Sequence, residues 1–127
     1  MPATTVALDL NQNKFHFLNS TMTETKCCIF IDDDPLNRVL FTEALNDVSP
    51  ETDCFIASTG LDALYMMTEE KVVPLYIFLE DKPPGINGIE FLKGIKQLDS
   101  LKNIPVIVHS VSPQPRRLIE LRESGAF

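Results

Sequence analysis

The chain has 127 residues, with 11 Lys+Arg against 18 Asp+Glu for a net charge of −7, an apolar share of 44% and a charged share of 23%. That length buries a real core but is short for two ordinary domains, so one soluble globular domain is expected, and collagen-like, coiled-coil and wholly disordered chains are excluded. A phosphate backbone is bound mainly by clustered Lys and Arg, so the acidic balance predicts no nucleic-acid partner.

Cys27 and Cys28 are adjacent within an apolar run, where neighbouring strand side chains point to opposite faces, and Cys54 leaves the count odd. With no CxxC or Cys/His ligand spacing, the three read as small hydrophobes in a reducing cytoplasm. No apolar run approaches the roughly 20 residues of a membrane span. Asp9, Asn11, Asn13 and Lys14 interrupt any signal-peptide core, so a cytoplasmic protein without membrane contact is expected.

Residues 1–25 are rich in Thr and Asn, with one apolar patch at Phe15, Phe17 and Leu18, and read as a disordered leader. From residue 26 to 127 the pattern is regular. Cys27 to Ile31 predicts a strand buried on both faces, stopping at Asp32, Asp33 and Asp34. Asp34 is placed to cap a helix with Pro35 at its first position and Leu36, Val39, Leu40 and Ala44 on one apolar stripe, running to about Asp47. A short strand at Cys54 to Ala57 leads to a helix with Leu61, Leu64 and Tyr65 inward. Leu75 to Leu79 is the strongest strand, closed by Glu80 and Asp81. Lys82-Pro83-Pro84-Gly85 then forces a loop. A helix from about Gly88 carries Phe91, Leu92, Ile95 and Leu98, and a strand at Ile104 to Val108 ends at His109 and Ser110. A last helix with Leu118, Ile119 and Leu121 is closed by Gly125. Four consecutive βα units make a parallel α/β sheet.

Open parallel sheets bind ligands beyond the carboxyl ends of their strands. Those ends carry Asp32 and Asp33, Glu80, and Ser110. Carboxylates about 4 Å apart repel by roughly 4 kcal/mol per pair at an effective dielectric near 20, so such a cluster binds a cation or raises a pKa. Hard oxygen ligands of this kind suit Mg²⁺ or Mn²⁺.

These residues also carry a resemblance. Ile29-Phe30-Ile31-Asp32-Asp33-Asp34-Pro35-Leu36-Asn37-Arg38 resembles the first strand and acidic pair of two-component response-regulator receiver domains. Glu80-Asp81-Lys82-Pro83-Pro84-Gly85-Ile86-Asn87-Gly88 is similar to their phosphoacceptor loop. Pro105 to Ser110 resembles the fourth strand, and Glu123-Ser124-Gly125-Ala126 the Gly-Ala turn that follows. The resemblance implies a flavodoxin-like (CheY-like) doubly wound sheet of strand order 2-1-3-4, in a phosphorelay whose partner is a sensor histidine kinase or another signalling protein. It further implies a Mg²⁺ held by Asp32, Asp33, Glu80 and the backbone carbonyl of Lys82. Ser110 would be the phosphoryl-binding switch residue, and Arg116, Arg117 and Arg122 a partner surface on the last helix.

Two departures alter that expectation. Glu80 stands where the family has its acceptor aspartate, one methylene further out, and a misplacement of about 1 Å costs on the order of 100-fold in rate. Asp81 is not an obvious substitute, because the next strand residue points away. The fifth βα unit, source of a lysine that pairs with the phosphoryl group, is expected to be missing, leaving the fourth strand an edge able to pair in a dimer. A degenerate receiver acting by protein contacts rather than as an enzyme is therefore expected. A conventional Mg²⁺-dependent phosphoacceptor receiver is one alternative. The other is a haloacid-dehalogenase-type phosphatase using Asp32 as nucleophile and Asp34 as acid/base.

Overall fold

A computed structural model of the chain describes residues 4–9, 14–19, 26–81, 87–109 and 114–127. Strands β1 (Thr4–Asp9) and β2 (Lys14–Asn19) pair antiparallel, with Val6 opposite Phe17 and Leu8 opposite Phe15. Residues 4–9 and 14–19 of the leader expected to be disordered are thus paired strands; Val6/Leu8 and Phe15/Phe17 alternate with the two-residue period of strands, a short signal among Thr and Asn.

Then come β3 (Cys27–Ile31), α1 (Pro35–Val48), β4 (Asp53–Ala57), α2 (Gly60–Thr68), β5 (Tyr76–Glu80), α3 (Gly88–Lys96), β6 (Val106–His109) and α4 (Pro115–Glu123). The four later strands are all parallel in the order β4-β3-β5-β6, the expected 2-1-3-4. β5 and β6 begin one and two residues later than the apolar runs suggest, because Leu75 N–H donates to Cys27 O before the ladder and Pro105 offers only its carbonyl, to Ile77 N–H. The shift brings Glu80 into the last rung of β5, opposite His109.

Helices cover both faces. On one, α2, α3 and α4 close a core of Ile29, Ile31, Ile77, Leu79, Val106, Phe91, Leu92, Ile95 and Leu121. On the other, α1 lies over Cys28, Phe30 and Cys54. Helix α1 differs from expectation: Leu36, Val39 and Leu40 are 63%, 51% and 55% exposed, and the buried side carries Leu45 with Phe41. The helix offers two stripes at helical spacing, and the aromatic one faces the sheet, where Phe41 stacks on Phe30 (centroids 4.2 Å apart) and meets Phe78 edge-on at 4.7 Å. Leu61, Tyr65, Leu118 and Ile119 are likewise exposed, while Ala63, Met67 and Leu121 fill the core.

The three cysteines are buried and form no disulfide with one another, and burial, followed by the charges of Cys28 and Asp53, pushes Cys27 up to about 11, which keeps it an inert thiol. Gly125 closes α4 at φ 114°, a conformation only glycine adopts readily. Among the described residues no helix is long and apolar enough to cross a membrane.

Candidate functional site

Strand β3 ends in three aspartates with three different environments. Asp32 is 2% exposed, and its carboxylate is held from two sides: Asp34 N–H donates to Oδ1 (2.9 Å) and the Asn37 amide Nδ2 donates to Oδ2 (3.1 Å). Asp33 is exposed above it. Asp34 caps α1, its Oδ1 accepting from Leu36 N–H (2.8 Å) and Asn37 N–H (3.4 Å). That is the helix-capping role the sequence predicts for Asp34, and nothing in the arrangement gives it the further acid/base role of the phosphatase alternative.

β5 is the central neighbour of β3, so Glu80 at its end faces the same pocket. One carboxylate oxygen from each of Asp32, Asp33 and Glu80 lies within 4.8 Å of the others. Glu80 Oε2 is buried with no hydrogen-bond partner among the described residues. Burial, then the charge of Asp32 and a hydrogen bond with it, then Asp33 and Asp34, push the Glu80 carboxyl up to about 7. An orphaned carboxylate oxygen beside two further carboxylates fits a hard divalent cation, which would take up both the lone pairs and the charge. Lys82 and Ser110, expected to complete the set, lie outside the described residues.

The main chain and charge of the pocket are tied to the sheet by Arg38. Its Nε donates to Asp32 O (2.8 Å) and its Nη2 to Ser58 Oγ (2.6 Å), joining the ends of β3 and β4. Sequence reasoning assigned no role to Asn37 or Arg38. The only available signal was their place in the first turn after the cap, from which a side chain reaches back over the strand end.

Asp81, the residue after Glu80, is turned to the other side. It is 6% exposed, and Arg117 of α4 grips it: Nε donates to Oδ1 at 3.0 Å and Oδ2 at 3.2 Å, and Nη2 to Oδ1 at 2.8 Å. The start of α3 closes on the same group, since a Cβ on Gly88 would lie 3.3 Å from Asp81 Oδ1. Arg117 therefore belongs to an internal ion pair and not to the open basic face expected of it. Arg116 and Arg122 are exposed. His109, at the end of β6, is exposed as well.

Comparison with known proteins accords with this geometry. The family described as response regulator receiver domain matches residues 28–127. Over 99 residues the chain is 36% identical to sporulation initiation phosphotransferase F of Bacillus subtilis, covering 78% of this chain and 75% of that one. It is 29% identical over 100 residues to the cyclic di-GMP phosphodiesterase response regulator RpfG of Xanthomonas campestris, but spans only 26% of that longer protein. Among solved structures, the phosphorylated cyanobacterial phytochrome response regulator RcpA shares the fold at a TM-score of 0.74 with 23% identity, over 81% of this chain and 77% of that one. The Mn²⁺-bound form of response regulator Rcp1 gives 0.73 with 27% identity, over 80% and 76%.

Proposed function

The chain belongs to the response-regulator receiver domain family, and from that premise we propose that it is a degenerate receiver, which keeps the acidic cation pocket but acts through protein contacts rather than through a phosphoaspartate. Receivers are signalling modules of two-component systems that bind Mg²⁺ in such a pocket. The single observation that carries the proposal is Glu80: a glutamate ends β5 in the Asp32–Asp33 cluster, while the neighbouring aspartate, Asp81, is buried in a two-pronged grip by Arg117. Neither carboxylate matches an acceptor aspartate. Glu80 is too long by a methylene, and Asp81 is held away from the pair that would hold the metal.

Asp32, Asp33 and Glu80, with the carbonyl of Lys82, would hold Mg²⁺, which when bound neutralises charge at the pocket. Asp34 and Arg38 fix the backbone of the loop, and Glu80 places a carboxylate where a phosphoryl group would otherwise bring charge, though with one charge and two oxygens instead of three. Contacts with a histidine kinase or another signalling protein fall on two surfaces. One is the exposed apolar rim Leu36, Val39 and Leu40 beside the pocket; the other is the face of α4 with Arg116, Leu118, Ile119 and Arg122. Incubation with a small phosphodonor and Mg²⁺, read by intact mass, tests the proposal: the chain stays unmodified, whereas stoichiometric, hydroxylamine-labile phosphorylation would refute it.

A further inference from the structure

We infer that Asn37 is a positioning residue for the cation pocket, holding the Asp32 carboxylate in the orientation that a divalent metal requires; the inference rests on the cation-binding reading given above. Asp32 is nearly fully buried, and besides its hydrogen bond with Glu80 each of its two oxygens accepts a donor from the loop and helix that follow it, Oδ1 from the Asp34 N–H and Oδ2 from the Asn37 amide. The first tether is main-chain and survives any substitution at Asp34 other than proline. The second depends on one side chain, five residues along the chain, brought back over the strand end by the first turn of α1.

The choice of amide matters. A Lys or Arg donor at this place would bind Asp32 by charge and compete with the metal for it, whereas a neutral donor fixes the plane of the carboxylate and leaves its charge for a cation. The nearby cation, Arg38, is diverted from that role: its guanidinium is spent on Asp32 O and Ser58 Oγ. Among the described residues Glu80 Oε2 is the buried oxygen of the cluster without a hydrogen-bond partner. Asn37 thus sets the direction of one ligand while adding no charge of its own, as the hydrogen-bonding groups behind metal ligands do elsewhere.

The test is Mn²⁺ binding to the full chain, measured by the loss of the free-ion electron paramagnetic resonance signal, for the unmodified protein, Asn37→Ala and Asn46→Ala. Asn46 is exposed on the same helix and controls for helix composition. Asn37→Ala is expected to weaken binding by about 10-fold or more in a chain that still folds cooperatively, with a lowered thermal midpoint because the buried Asp32 Oδ2 loses a donor, an effect only partly offset by the helix preference of alanine. Asn46→Ala is expected to bind like the parent. Equal affinity of Asn37→Ala and parent overturns the inference and leaves the cation pocket standing. No Mn²⁺ binding by the parent overturns the pocket and the inference together. A measurement needing no variant runs alongside: the Asn37 side-chain amide protons should exchange slowly and shift when Mg²⁺ is added, and exchange as fast as that of Asn46, with no shift, would also overturn the inference.

Discussion

Cutting the Arg117–Asp81 pair should loosen α4 from the sheet by a predictable amount. Arg117→Met keeps most of the aliphatic stem but withdraws three contacts of 3.2 Å or less from a carboxylate whose side chain is 8% exposed. Removing one partner of a fully buried pair costs about 3–5 kcal/mol, because the other charge is left without compensation. The Arg117 side chain is 30% exposed, so water reaches the site and lowers the expected loss to about 2 kcal/mol. Asp81→Asn keeps an acceptor for the guanidinium and should cost about 1 kcal/mol. Since the two residues share one interaction, the double variant should fall short of additivity by about 1 kcal/mol. Urea denaturation followed by far-ultraviolet circular dichroism reads this as shifts in midpoint at constant m. Losses within about 0.5 kcal/mol of zero for Arg117→Met, or full additivity, would refute the claim that this pair anchors α4.

Glu80 gives a pH-dependent prediction. Its folded-state pKa of about 7 lies above the ordinary 4.5, so the folded protein holds this proton more tightly than the unfolded chain does. The contribution is fully present below about pH 4.5 and is lost as pH rises through about 7. For a group partly open to water the loss is about 1 kcal/mol, and Glu80→Gln should flatten that stretch of a stability–pH profile taken with chelator. Since a metal must displace the same proton, Mg²⁺ affinity should climb over the same window, and flat binding would contradict a ligand role for Glu80. Two backbone positions are informative in opposite directions. Lys71, at φ 59°, should gain about 0.5 kcal/mol on change to glycine. Gly125→Ala, which adds strain at φ 114° and a contact of 2.6 Å with Lys96 Cε, should lose about 1–2 kcal/mol by thermal denaturation.

What was legible in the sequence follows from how local each signal is. Asp34 before Pro35 marks its own helix start, Gly125 its own helix end, and the run Cys27 to Ile31 a strand buried on both faces, all as found. Parallel pairing then brings the ends of β3 and β5 side by side, which assembles Asp32, Asp33 and Glu80 from 48 residues apart. Helix facing was harder. α1 carries two stripes at helical spacing, and only the stacking of Phe41 on Phe30 decides between them, a contact between residues of separate elements. Arg117 looked like surface because nothing local reveals Asp81, 36 residues earlier, as its partner. The side-chain tether from Asn37 to Asp32 is a matter of rotamer and reach, which spacing alone does not give. The pairing of β1 with β2 is announced in the sequence by only two alternating apolar pairs, Val6/Leu8 and Phe15/Phe17, too short a pattern to outweigh the polar composition around it.

The central claim is that the cation pocket persists while its acceptor position has been changed by one methylene. The direct measurement is a paired intact-mass experiment on the unmodified chain and Glu80→Asp, each treated with a small phosphodonor and Mg²⁺, with hydroxylamine treatment as the check for an acyl phosphate. The account predicts an unchanged mass for the parent and a labile phosphoryl adduct on Glu80→Asp. Labelling of the parent to the same extent as the variant would contradict it.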